Sequence, residues 1–167
     1  MIHTTRRFAV LGGLALTLAG CANKFRTYNG PEVTRLQMFK DDRTLFLYNN
    51  SKVLKTYKFD LGFAPAGPKQ FEGDGKTPEG SYTVDKRNPN SMFHLSVGIS
   101  YPNEADIAYA AAQGRSPGGD IFIHGGPRAG IDPIKPDWTA GCIAVSDREI
   151  EDIYAMVRDG TPIDIFA

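Results

Sequence analysis

Eight short strand patterns, each four to nine residues long, run from Val33 to Phe166 and limit the chain to a many-stranded architecture. They are Val33–Lys40, Thr44–Tyr48, Val53–Leu61, Gly80–Asp85, Met92–Ile99, Ile121–His124, Cys142–Val145 and Pro162–Phe166. The third alternates cleanly, with Tyr57, Phe59 and Leu61 on one face and Lys58 and Asp60 on the other. Asn49-Asn50-Ser51-Lys52 forms a hairpin connection, and a Gly/Pro-rich loop fills residues 62–77. Helical patterns interrupt this order twice. Asn103–Gln113 has Asn103 as N-cap and Gly114 past its end. Ser146-Asp147-Arg148-Glu149 is a capping box opening a helix whose apolar residues are Ile150, Ile153, Tyr154 and Val157. Short strands with two short helices predict a mostly β sandwich or barrel, and 167 residues fit one such domain.

The N-terminus reads differently. Arg6-Arg7 precede an apolar run from Phe8 to Leu18. That run is too short for a spanning helix of about 20 residues and fits a signal peptide. It ends in Leu18-Ala19-Gly20-Cys21, which resembles the lipobox of bacterial lipoproteins. The resemblance implies that residues 1–20 are a signal peptide and that Cys21 carries lipid. Residues 21–32 are then a tether to the domain at 33–167. Ala22 after the cysteine implies the outer membrane, facing the periplasm. The lipid would hold the domain on a membrane surface without a spanning helix.

If Cys21 is acylated, the other cysteine, Cys142, has no partner within the chain. A free thiol in an exported protein is unusual and points to chemistry. Cys142 follows Gly141 and opens a short apolar run, while His124 ends another 18 positions upstream. Together they read as nucleophile and general base. The N–H groups of Gly141 and Cys142 are candidate oxyanion donors, and Thr139 is a candidate to orient the imidazole. His94 lies in Met92-Phe93-His94-Leu95 and reads as structural or substrate-near. The balance of 19 basic and 19 acidic residues gives no sign of a nucleic-acid partner. The histidine and cysteine spacings match no common metal site, and the chemistry expected here needs no cofactor.

His124 followed by Thr139-Ala140-Gly141-Cys142 resembles the L,D-transpeptidase catalytic domain (YkuD-type) family, in its Gly-Cys-Ile-Ala branch. Thr77-Pro78-Glu79-Gly80-Ser81-Tyr82 resembles that family's T-P-x-G-x-Y turn. The resemblance implies an L,D-transpeptidase-like fold over residues 33–167 and peptidoglycan stem peptides as substrate. Cys142 would form a thioester at the L-centre of diaminopimelate and release D-alanine. An amine of a second stem, or of a wall-attached protein, would then take the acyl group. Gly125, Arg128 and Tyr82 are the candidate substrate-binding positions.

Two positions depart from the family pattern. Ala140 replaces a frequent histidine, and Ala144 replaces an arginine that helps hold substrate. Arg128, Lys135 and Arg87 are candidates to supply that charge. Some members of the branch use water as acceptor, so a hydrolase acting on the same bonds is the alternative. A non-enzymatic wall-binding lipoprotein would need the export signal but not the His124/Cys142 pair.

Overall fold

The computed structural model describes residues 23–167, so Cys21 and the signal segment lie outside the described residues. Eight strands and two helices follow in chain order: β1 Arg35–Phe39, β2 Thr44–Asn49, β3 Lys52–Lys58, β4 Gly80–Asn88, β5 Ser96–Ile99, α1 Glu104–Ala112, β6 Phe122–His124, β7 Ile143–Ala144, α2 Asp147–Met156 and β8 Pro162–Phe166. They form one mixed sheet in the order β3-β2-β1-β8-β4-β5-β6-β7. The β1·β8 and β6·β7 pairs are parallel, and the others are antiparallel.

The two ends of this order meet. Asp60, two residues past β3, exchanges backbone hydrogen bonds with Ala144 of β7, at 2.8 and 2.9 Å. Gly62 and Thr139 form a second bridge beside it. The sheet therefore curls into a barrel-like shape, which protects strand edges from pairing with other chains. This is the mostly β architecture expected from the strand pattern.

The core lies inside the curl. Leu36, Leu45, Val84, Val97, Ile123, Ile143 and Ile163 are fully excluded from solvent, and Ile150 and Ile153 of α2 pack against them. Helix α2 starts at the Ser146 capping box, with Ser146 Oγ and the Glu149 carboxylate satisfying each other's backbone donors. Helix α1 has the equivalent box from Asn103 and Asp106, yet buries only Ala110.

Several strands are shorter than their patterns, β5 by the first half of Met92–Ile99. Met92–Leu95 is loop, because His94 takes a left-handed backbone at φ 71° and breaks the extended run. The segment read as a tether is also not free along its described part. Lys24 Nζ donates to the carbonyls of Pro89 and His94 at 2.7 and 3.0 Å, and Arg26 pairs with Glu151 and Asp152 on α2.

Candidate active site

The parallel pairing of β6 and β7 brings the sequence-distant histidine and cysteine together. Ile123 faces Ile143 and His124 faces Ala144, so Cys142 falls one step before the ladder, opposite Phe122. His124 and Cys142 line the same cavity of about 260 Å³. Cys142 is half-buried, and its thiol contacts the carbonyl of Asp120 at 3.5 Å.

His124 is 3% exposed. Its Nδ1 lies 2.6 Å from the carbonyl oxygen of Gly125. A carbonyl can only accept, so Nδ1 carries the hydrogen and Nε2 of the neutral ring keeps its lone pair. The ring is seated by aromatics on two sides. Phe93 stacks on it at 4.3 Å, and Trp138 meets it edge-on at 5.7 Å. Phe93 is itself fixed from behind: its carbonyl accepts from Gly125 N–H at 3.1 Å, and the Arg128 guanidinium lies 4.4 Å from its ring centre.

Burial lowers the His124 pKa below the ordinary imidazole value, with the Gly125 hydrogen bond and Asp132 pulling the other way. Burial raises the Cys142 pKa, and the charge of Asp120 adds to this, opposed by the Phe122 N–H and Lys69. Both shifts favour neutral forms, a thiol turned to the Asp120 carbonyl and a neutral imidazole on the wall of the same cavity.

The segment before Cys142 is held by residues far away in sequence. Thr77 Oγ1 is buried and donates to the Gly141 carbonyl at 2.8 Å. Beneath Thr77, the buried Lys40 ammonium donates to the carbonyls of Gly67 and Thr77 and pairs with Glu79 at 2.7 Å. Gly141 has φ 136°, and a Cβ there would lie 2.6 Å from the Lys76 carbonyl oxygen. Only glycine fits both the conformation and the space. Asp137 closes the other side, accepting from Leu61 N–H at 2.9 Å and from the Arg43 guanidinium at 2.7 Å.

Three expected roles change with this geometry. Thr139 does not reach the imidazole. Its hydroxyl donates to the Cys142 carbonyl at 2.7 Å and accepts from Gly141 N–H at 3.1 Å, while the Gly125 carbonyl orients the ring. The same contact occupies Gly141 N–H, one of the two expected oxyanion donors. The Cys142 N–H makes no hydrogen bond to a side chain or loop carbonyl among the described residues. Tyr82 is 5% exposed, and its hydroxyl donates to Asp106 at 3.0 Å, so it secures α1 and does not face the cavity.

The other candidates fall as follows. Gly125 is buried, and a Cβ there would lie 2.5 Å from Asp147 Oδ1; its place is structural. Arg128 is paired with Asp132 at 2.6 Å. Arg87 lies over Tyr154 at 4.0 Å, and Lys135 is exposed on the loop after β6. None of these three cations lines a cavity at Cys142. His94 Nε2 pairs with Glu151 at 2.9 Å, behind the site. Lys69, which no motif singles out, does line a cavity with Cys142, its ammonium tied to Asp74 at 3.0 Å. Among the described residues there is no cluster of three metal-ligating side chains.

Comparison with known proteins gives the family and the fold. The sequence model of the L,D-transpeptidase catalytic domain (YkuD) matches residues 34–165. An Escherichia coli K12 relative, described as "Putative L,D-transpeptidase YafK", is 34% identical over 128 residues, covering 73% of this chain and 46% of that protein. Among solved structures, the helical cell shape determining protein Pgp2 of Campylobacter jejuni superimposes with a TM-score of 0.62 at 26% identity, over 87% of this chain and 51% of that one. Mycobacterium tuberculosis L,D-transpeptidase 1 shares the fold with a TM-score of 0.52 at 17% identity, over 81% of this chain and 62% of that one. The chain spans about half the length of the curated relatives it matches.

Proposed function

From the premise that the chain belongs to the L,D-transpeptidase catalytic domain family, we propose that it is a cysteine acyltransferase acting on tetrapeptide stems of peptidoglycan. The observation that carries this reading is the Gly125-oriented imidazole of His124, whose free Nε2 shares a cavity with the Cys142 thiol. Cys142 Sγ attacks the carbonyl at the L-centre of diaminopimelate while His124 Nε2 takes the thiol proton. The Cys142 N–H donates to the tetrahedral oxyanion; one such donor is typically worth about 3–4 kcal/mol in the transition state. The C–N bond breaks, imidazolium returns its proton to the departing D-alanine amine, and a thioester remains. An amine of another stem, or of a wall-attached protein, attacks the thioester and gives up its proton to His124. Sulfur leaves as thiolate and regains a proton from the imidazolium. One base and one oxyanion donor serve both halves because each is acyl transfer.

The same thioester can be resolved by water. That reading is favoured at Ala144, which has no cationic side chain to hold an acceptor and whose small side chain lines a separate cleft of about 240 Å³ beside Lys58 and Asp60. Muropeptide products separate the two: cross-linked dimers or protein-linked stems against free tripeptide or released protein. Lipidation of Cys21, and with it an outer-membrane location facing the periplasm, belongs to the same proposal. Loss of fatty-acid labelling in C21A tests it.

Replacing Cys142 with alanine tests the enzymatic reading directly. The variant should unfold at an unchanged temperature yet turn over no tetrapeptide, and a carbapenem should add its mass to the wild-type chain alone. Undiminished turnover by C142A would refute the proposal.

A further inference from the structure

The thiol lines three cavities, and Asp120 lines two of them, each of about 260 Å³. Asp120 has a left-handed backbone at φ 55°. Its carbonyl faces the Cys142 thiol at 3.5 Å, while its carboxylate pairs with Lys86 at 3.2 Å. The pair is open to water, with the side chains 48% and 84% exposed for Lys86 and Asp120.

Strand register places Lys86 on the reacting face. Lys86 pairs with Gly98, and Gly98 pairs with Phe122. A Cβ on Gly98 would lie 2.6 Å from Lys86 Cγ, so glycine lets the lysine stem cross the sheet. The ammonium ends 4.8 Å from the centre of the Phe122 ring. Phe122 precedes His124 by two residues on the same strand, so both side chains stand on one face and line one cavity.

Stability gives little reason for this pair, since water screens an ion pair this exposed. The Asp120 charge also works against ionisation of the adjacent thiol. In the cavity that Asp120 shares with His124, the walls at Met92, Phe93 and Phe122 are apolar, and Asp120 is its one carboxylate. An apolar wall with a few charged groups at its rim is how small-molecule sites fix orientation.

We propose that Lys86 and Asp120 form a head-group site for a zwitterionic α-amino acid carried on a short aliphatic arm. The ligand's carboxylate takes Lys86 and its ammonium takes Asp120, each group exchanging its present partner for one of the same sign. The second amino-acid centre of diaminopimelate is such a head group, so the inference rests on the proposed function and names what that site reads. Asp120 links recognition to chemistry, because one residue holds the ligand's ammonium and faces the nucleophile.

Three tetrapeptide stems test this: unmodified, amidated at the distal carboxyl, and acetylated on the distal amine. Turnover is measured on the wild-type chain, K86M and D120N, and binding on C142A with and without the same substitutions. K86M should lose about tenfold of the preference for carboxylate over carboxamide and keep the preference for free amine, and D120N should do the reverse. Equal losses on all three stems would overturn the site, as would binding to C142A that ignores both modifications. The latter arm needs neither K86M nor D120N to fold. Binding with both preferences but no wild-type turnover would keep the site and overturn the proposed function.

Discussion

Thr77 Oγ1 donates to the carbonyl of Gly141 at 2.8 Å, joining two sequence motifs 64 residues apart into one buried contact. Thr77 is fully excluded from solvent, so water cannot replace the bond if the hydroxyl is lost. T77V keeps the shape and leaves the Gly141 carbonyl unpaired. It should cost about 1–3 kcal/mol of stability and lower kcat by shifting the backbone that presents Cys142. Serine should recover most of both. Denaturant unfolding with kcat on a tetrapeptide checks this, and a T77V protein as active as wild type would contradict it.

Gly141 allows no side chain. With φ 136° and the Lys76 carbonyl 2.6 Å from an ideal Cβ, G141A must displace the backbone beside the nucleophile. Activity should fall at least tenfold, together with a lower unfolding temperature. G130A, where φ is 72° but nothing lies within 4 Å, tests conformation without crowding and should lower activity far less.

The Phe93 stack on His124 at 4.3 Å should show in kcat more than in stability, because Phe93 is only half-buried. An aromatic pair of this kind is worth about 0.5–1.5 kcal/mol beyond its area. F93L should lower kcat several-fold and leave KM nearly unchanged, whereas F93Y should retain the stack and the rate. Steady-state kinetics on the two variants decide it.

The pH dependence follows from two opposite shifts. His124 is lowered, so below about 6.5 the unfolded chain binds a proton that the folded chain excludes. Stability is therefore full above about 6.5 and falls as pH drops from there through the folded value. Cys142 is raised, so stability is full below the ordinary thiol value and falls as pH rises through the folded one. H124N should flatten the acid limb and C142S the alkaline limb in urea unfolding followed against pH. Iodoacetamide should label Cys142 slowly at neutral pH and faster into the alkaline range. A fast rate unchanged from pH 6 to 8 would mean a preformed thiolate.

Much of this protein was legible in its residues. The alternation at Tyr57, Phe59 and Leu61 predicts three buried positions, and all three are buried. The Ser146 and Asn103 caps start their helices where side-chain chemistry demands. These are local effects, set by neighbours a few residues apart, and the sequence determines them by itself. His124 and Cys142 could also be picked out, because a histidine and a glycine-preceded thiol at that spacing carry a recognisable motif.

The roles around them depend on distance, which sequence does not record. Thr139 is near the pair in sequence, but its hydroxyl turns to the Cys142 carbonyl, and the Gly125 carbonyl holds the ring instead. Any residue has a backbone carbonyl, so no residue type at position 125 could announce that part. Tyr82 belongs to a recognisable turn and yet faces the core, because its strand pairs β8 with that side inward. Phe93, Lys69 and the Lys86–Asp120 pair reach the site only through strand order and register, which bring β4, β5 and β6 side by side and close the sheet at Asp60 and Ala144. Local pattern set the elements and marked His124 and Cys142 as the pair proposed to react. The long-range pairing of the curled sheet decided which groups surround them, since contacts between distant segments form only when the whole core closes.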